Sequence, residues 1–320
     1  MRYERKVAAL SSALRILLVI WVLGVIFSPE RGLARSESVK LVSGKIADAA
    51  AIELTNPDAE AIKLEKSGDS WSLVDGTARL PVQGSRVKNL LDSIAEPGRL
   101  RVVGRSKAAW TDFKLEDDKA KRVLVTSKDG AAIADVYIGA YSSAASGVYV
   151  RRAGSELSYV ADSSLASYIG YGRSSWLDLK VLGSLTAADV QSVSMRAKIA
   201  LDGAGKTPLS FEYSARRDGQ SWKIGASEAD AQAVESMIRS IVSVQGEDIA
   251  ASPPSDAFSA VSAHIEIALS SGVSKVIEVG APAADERFYL RAAGNPLVYL
   301  ASAYSLRSML KPPADLIKKK

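Results

Sequence analysis

The chain repeats itself. Val148–Ala161 (VYVRRAGSELSYVA) and Phe288–Ala301 (FYLRAAGNPLVYLA) align without a gap and share seven of 14 positions, among them Tyr149/Tyr289, Arg151/Arg291, Gly154/Gly294 and Tyr159/Tyr299. Earlier landmarks recur in the same order. Asp69-Ser70-Trp71-Ser72-Leu73 matches Gln220-Ser221-Trp222-Lys223-Ile224, Ala47-Asp48 matches Ala188-Asp189, and Gly139 matches Gly280 after an apolar residue. Two unrelated β-rich stretches share alternation by chance, but not a tryptophan, a glycine corner and a Tyr-x-Arg-x-x-Gly run in one order. The chain is a tandem duplication, so whatever fold it adopts must be one unit used twice. Its 320 residues, 47% of them hydrophobic, give each copy the size of an ordinary domain with its own core.

Each copy reads as strands around one helix. Opening strands (Ala51–Leu54; Gln191–Arg196) lead to second strands (Ala61–Lys66; Leu209–Ala215), then a polar turn and a short strand carrying the tryptophan. In Ser85–Ile94 the apolar residues Val87, Leu90, Leu91 and Ile94 form a helical stripe, with Ser85 as the expected N-cap and Pro97-Gly98 as the stop. The second copy repeats this over Ala229–Val242 with Ala233, Met237, Ile238 and Ile241. Alternating segments follow: Val123, Val125, Ile133, Val136 and Ile138 in the first copy, and Ile265, Ile267, Val273, Val276 and Val279 in the second. Short turns between alternating strands mean an antiparallel sheet with one face covered, here by the helix. The expected fold is α+β: a helix-covered antiparallel unit at 41–172, a second at 177–312, a hinge-like join at Gly170–Ser175 and a basic tail at 313–320.

Residues 1–34 place the chain. Arg2, Arg5 and Lys6 form a basic head, and Ile16–Ser28 is an unbroken apolar or small run. Extended back to Val7, the run reaches the ~20 residues that span a bilayer. Two readings stay open, an uncleaved signal anchor and a signal peptide cleaved after Gly32-Leu33-Ala34. Both keep the basic head in the cytoplasm and send the remainder outside, to the inner membrane or the periplasm. This segment also accounts for the charge. The formal net charge is +5; residues 1–32 carry +3 and Lys318–Lys320 carry +3, so the body between is −1. The basic balance is an orientation signal and a tail, and no nucleic-acid partner is expected.

Little catalytic chemistry is offered. There is no Cys and one His, which excludes disulfides, thiol catalysis and multi-His metal sites within one chain. Asp202–Thr207 (DGAGKT) resembles the end of a phosphate loop, but Ala200 stands where its first Gly is required. Ser85-x-x-Lys88 and Ser308-x-x-Lys311 lack the companion Ser-Asp-Asn and Lys-Thr-Gly motifs. His264 precedes Ile265-Glu266-Ile267, so it faces away from the core, near the position Arg122 holds in the first copy. Asp112, Glu116, Asp117 and Asp118 alternate with lysines and read as a solvated loop. No catalytic residue, cofactor or metal is expected. The candidate partner or ligand contacts are the paired aromatics Trp71, Trp222, Tyr149 and Tyr289, although aromatics kept in both copies of a duplicated sheet are more often core or cross-strand pairs.

Gly68-Asp69-Ser70-Trp71, Asp112–Leu115 (DFKL), Tyr137-Ile138-Gly139, Tyr149–Gly154, Trp176-Leu177-Asp178-Leu179 and Ala188-Asp189-Val190 together resemble the bacterial domain-of-unknown-function family number 4340. The resemblance spans roughly 45–310. It implies a membrane-anchored protein often encoded beside components of a gliding-motility-type ABC transporter, and it brings no catalytic residues. The expected function is a non-enzymatic, extracytoplasmic accessory or scaffold protein held by its N-terminal helix and binding an envelope or transporter protein. The alternative is a glycan- or peptide-binding module using a groove between the two units; an envelope hydrolase is a third.

Overall fold

The structure is a computed structural model that describes residues 40–318, apart from Arg99, Ala145, Ser163 and residues 202–207, together with Leu17, Leu18, Val19 and Trp21. The basic head, most of the apolar run, the Gly32–Ala34 cleavage site, the Asp202–Thr207 loop and the last two lysines lie outside the described residues. Among the described residues no helix is long and apolar enough to cross a membrane.

The chain divides into two compact units, one of residues up to Val74 with Gln83–Arg173, the other of Asp75–Val82 with Ser174 onward. The first copy contains β1 (Ala49–Asn56), β2 (Ala59–Ser67), β3 (Ser70–Asp75), β4 (Ala78–Pro81), helix α1 (Gly84–Ala95), β5 (Arg101–Gly104), the single turn α2 (Trp110–Phe113), β6 (Lys121–Ser127), β7 (Ala132–Ser142), β8 (Gly147–Arg152), β9 (Ser158–Asp162) and α3 (Ser164–Ile169). The second contains β10 (Val190–Ile199), β11 (Leu209–Asp218), β12 (Ser221–Ile224), β13 (Ser227–Glu228), α4 (Ala231–Val242), β14 (Asp248–Ile249), β15 (Ala263–Leu269), β16 (Ser274–Pro282), β17 (Arg287–Ala292), β18 (Tyr299–Ser302) and α5 (Ala303–Met309).

The sheet orders are β4-β3-β2-β1-β6-β7-β8-β9-β5 and β13-β12-β11-β10-β15-β16-β17-β18-β14, one topology used twice. The α+β expectation is corrected in proportion: each copy is mostly antiparallel β, with a nine-stranded sheet and few, short helices.

The duplication holds at the level of register. Lys66 pairs with Trp71 and Arg217 with Trp222. Both first strands shift register at their start, between Ala49 and Ala51 and between Val190 and Ser192. Both central hairpins shift again, between Ile138 and Tyr141 and between Val279 and Pro282. Alternation then decides the faces. Ile52, Leu64, Val123, Val136 and Ile138 point into the first core; Val193, Ala215, Ile265, Ile277 and Val279 take the corresponding places in the second, all fully buried or nearly so. Val87, Leu90 and Ile94 of α1 join the first core, and Val234, Met237, Ile238 and Ile241 of α4 the second.

Three local expectations change. Gln83, not Ser85, is the N-cap of α1, because the helix already starts at Gly84; no side chain caps it. In α4 the cap is Asp230, which accepts the backbone N–H of Gln232 and Ala233, and Val234 replaces Ala233 on the buried stripe. In β16, Ile277 and not Val276 faces the core, while Val273 is exposed in the turn before it.

The sheet edges are short: four residues in β4 and β5, two in β13 and β14. Just beyond β4 and β13, Val82 bridges to Leu177 and Ala229 to Ile317, so the same kind of edge closure occurs in both copies. Short, covered edges offer few free backbone groups to a foreign strand.

Candidate functional site

The repeated glycine corner and the repeated arginine meet on the sheet face opposite the helix. Ile138 and Val279 point into the cores, so Gly139 and Gly280 point outward. In the first copy the connection between β5 and β6 crosses this outer face, and a Cβ on Gly139 would stand 2.1 Å from the Phe113 carbonyl oxygen. In the second copy a Cβ on Gly280 would stand 2.2 Å from the Ala257 carbonyl oxygen, where Ala281 N–H donates to that same oxygen at 2.8 Å. Only glycine admits such an approach of two backbones.

Above the first corner lies an alternating stack. Lys107 Nζ is 5.5 Å from the Trp110 ring centroid, and Arg151 Cζ is 4.0 Å from Trp110 on one side and 3.7 Å from Tyr137 on the other. Arg122 Cζ follows at 5.4 Å from Tyr137. Three cations thus interleave with two rings, and each guanidinium–ring contact gains electrostatically from the ring face. Arg151 is 2% exposed. Its Nε donates to the Leu115 carbonyl at 2.8 Å and its Nη2 to the Asp117 carboxylate. Arg122 donates to both Asp135 oxygens, at 2.7 and 2.6 Å. Those hydrogen bonds first, and more weakly Tyr137 and Glu53, raise its proton affinity above that of an ordinary guanidinium. The acidic run expected to be a solvated loop therefore supplies, in Asp117, the counter-ion of a buried arginine.

The second copy fills the same row differently. Register sets His264 opposite Glu278 and Glu278 opposite Arg291, where the first copy has Arg122, Tyr137 and Arg151. Arg291 lies over Phe258 at 4.1 Å and donates through Nε and Nη2 to Glu278 Oε2, each at 2.7 Å. Glu278 Oε1 is 3.8 Å from His264 Nδ1. His264 faces outward, as its strand position predicts, beside the Glu278–Arg291 ion pair.

In the first copy, the crossing connection covers β7 and β8, and the other half of the outer face stays open. There the outward residues of β2, β1 and β6 enclose a depression of ≈420 Å³, floored by Ala51, Leu124 and Thr126 and rimmed by Glu53, Lys63, Glu65 and Lys128. Lys63 pairs with Glu65 at 2.9 Å. The corresponding second-sheet positions, read from the pairing, are Ser192 for Ala51, Glu266 for Leu124 and Ala268 for Thr126. In the second unit a hollow of ≈350 Å³ is bordered by Asp178, Lys275, Asn295 and Tyr299. The Tyr299 phenol is satisfied, donating to the Lys180 carbonyl at 3.2 Å and accepting from Asn295 Nδ2 at 3.4 Å.

The four aromatics singled out from the sequence do not form one surface of one unit. Trp222 is 1% exposed beneath Arg217, whose Cζ is 4.8 Å from its ring. Trp71 is half-buried on β3. Tyr149 is half-buried and stacks on Phe113 with centroids 4.1 Å apart, and Tyr289 is half-buried on β17. Lys88 pairs with Asp92 one turn along α1, and Ser308 donates to the Ser305 carbonyl, so neither Ser-x-x-Lys pair couples its serine to its lysine. Among the described residues no group of acids and histidine is arranged to hold a metal ion. The arginine stack escaped sequence reading except for one signal, the arginine of Tyr-x-Arg recurring in both copies.

Two nine-stranded sheets of identical order, each with a short helix on one face and a glycine-pinned connection on the other, define a tandem β-rich module. The family model described as Domain of unknown function (DUF4340) matches residues 71–261, more than half of the chain, and the chain belongs to that family. No curated protein and no solved structure matches it.

Proposed function

We propose that the protein is a single-pass envelope protein that works by binding rather than by catalysis, holding its two β-rich units outside the cytoplasmic membrane as an accessory or scaffold for a transporter-type partner. The observation that carries this reading is the half-open outer face of the first sheet. The repeated arginine and glycine are consumed in pinning the connection, and the surface left beside them is a shallow, charged-rimmed sheet face of the kind proteins use for one another. The apolar run before residue 34 supports the location, as an anchor or as a leader removed near Ala34. The test is purification of the tagged full-length chain from membranes in mild detergent. Recovery of permease or ATPase subunits, above the level from an unrelated single-pass protein, is expected. Recovery of no envelope protein refutes the reading, and the mass of the mature chain decides between anchor and leader.

A further inference from the structure

We infer that the hollow at the start of β16 is a strand-addition site, and that its occupant is a short, extended, acidic segment of a partner polypeptide. This rests on the binding reading above and adds a contact to the outer face of the first sheet. The first copy shows what belongs there. Its Asp135 carbonyl accepts from Ala153 N–H at 2.9 Å, where β8 gives out, and two residues earlier the Ile133 carbonyl accepts from Ser43 N–H at 2.7 Å. Val42 bridges to Ala134 in the same run, and Leu41 before it is fully buried. The chain's own entry segment thus continues the ladder past the end of β8. In the second copy the Val276 carbonyl accepts from Ala293 N–H at 2.9 Å, as Asp135 does from Ala153. The Ser274 carbonyl points to the same side, two residues earlier, and takes no backbone N–H there from any described residue. The second entry segment runs elsewhere: Lys180 bridges to Gln245, and Val181 N–H donates to the Val244 carbonyl at 3.2 Å. Leu182 and Gly183 then border the hollow instead of filling it.

Lys275 decides the occupant. Pairing sets it opposite Ile267, where the first copy sets Ala134 opposite Val125, so a long cation stands at a position the sister copy keeps small and buried. It makes no ion pair with another described residue. Two lysines, Lys180 and Lys275, border the hollow against one acid, Asp178, which leaves a surplus positive charge. On an added strand the residue in the place of Val42 lies opposite Lys275 and shares its face, so a carboxylate there completes the pair. The next residue donates its N–H to Ser274, and the apolar wall of Leu182, Ala292 and Leu297 receives what flanks them.

The experiment uses the full-length chain in detergent and a fluorescein-labelled peptide, Thr-Glu-Leu-Glu-Ser-Val, read by anisotropy. Two counterparts are Thr-Lys-Leu-Lys-Ser-Val, with the charge reversed, and Thr-Glu-Leu-Glu-Pro-Val, which stays extended but lacks the N–H for Ser274. The first peptide should bind, and each counterpart should bind about tenfold more weakly, the scale of one lost charged or backbone hydrogen bond. Lys275→Glu should weaken the first peptide by about the same factor while melting like the parent, because the side chain is exposed. Lys128→Glu, an equal charge change in the first unit, should leave binding unchanged. Equal binding of the serine and proline peptides overturns the proposal, since charge alone then suffices. Indifference to Lys275→Glu, or an equal loss in Lys128→Glu, overturns it as well. So does self-association of the chain that Lys275→Glu abolishes while no peptide binds, because the hollow then meets a second copy. If no peptide binds but envelope subunits still co-purify, the accessory reading stands and this site is wrong; if the peptide binds and no subunit co-purifies, the site stands and that reading falls.

Discussion

Replacing Gly139 by alanine tests whether the connection is truly clamped to the outer face. The new methyl would stand 2.1 Å from the Phe113 oxygen, 2.9 Å from the Lys114 oxygen and 3.1 Å from Leu115 Cδ2. Two of these are backbone atoms, which cannot rotate away, so the connection must lift by about an ångström to reach ordinary contact. Forcing a methyl into packed structure costs about 1–3 kcal/mol. Lifting the connection also strains the Arg151 Nε bond to Leu115, a charged hydrogen bond worth about 1.5–3 kcal/mol where it cannot be replaced by water. The sum is about 2.5–6 kcal/mol. The control is Gly154→Ala, at φ +72° with no atom within 4 Å of its Cβ, where only the left-handed backbone is penalised, by about 1–2 kcal/mol. Urea unfolding followed by tryptophan fluorescence should show a clear loss for Gly139→Ala, with Trp110 reporting the displaced stack, and a smaller one for Gly154→Ala. If the two variants unfold together, the close approach at Gly139 does not hold the connection and the clamp is wrong.

The remaining expectations are briefer. The β16–β17 turn places Asp285 and Glu286 both at φ 57°, a backbone that Asn-Gly adopts more readily, so Asp285→Asn with Glu286→Gly should stabilise the chain by about 1 kcal/mol despite losing the exposed Arg287 pair; a lowered melting temperature refutes this. Arg151→Lys keeps the charge but neither the planar stack nor the fork, and should lose about 2 kcal/mol or more in urea unfolding; a variant as stable as the parent would show that the stack is incidental. The Ser127 hydroxyl, and then the Ala131 N–H, hold the Asp129 carboxyl below the usual carboxylate range. Its contribution to stability is therefore present above the ordinary carboxylate pKa and lost as pH falls through the lower folded value. Carboxyl NMR titration should show the depression and its reduction in Ser127→Ala. Burial raises the Tyr213 phenol, which donates to the Lys311 carbonyl at 2.9 Å, so it should stay protonated in the folded chain where exposed tyrosines ionise; ultraviolet titration of Tyr213→Phe should lose no tyrosinate signal before unfolding.

The repeat was legible because register preserves chemistry: Trp71 and Trp222 sit opposite the same kind of long cation, and the inward Val and Ile positions follow the pleat. The slip at Val276 shows where reading by eye fails. Aligning the two Tyr-x-Arg runs without a gap carries Val136 onto Val276. Pairing instead sets Val136 against Val123 and Ile277 against Ile265, so the true counterpart of Val136 is the next residue along, Ile277. The hairpin that follows absorbs the difference, and a slip by a single position turns a strand over. The arginine stack was hidden for another reason. Trp110 belongs to a short turn with no periodicity, and nothing local to it announces that it will cover an arginine on β8, with β6 and β7 still to come between them. The depression was hidden because a floor of Ala51, Leu124 and Thr126 comes from strands far apart in the sequence and looks ordinary on each.

The short edges bear on how such a protein came to exist. A newly duplicated β domain begins life tethered to its own twin, at the high effective concentration a linker imposes, and every open strand of one copy is a perfect template for the other. Exchange of strands between sister copies is the characteristic failure of such chains. A sheet that ends in strands of two to four residues, with the segment beyond β13 tied back at Ala229 to Ile317, gives the twin almost nothing to copy onto. Edges of this kind let two sister sheets share one chain with little to exchange.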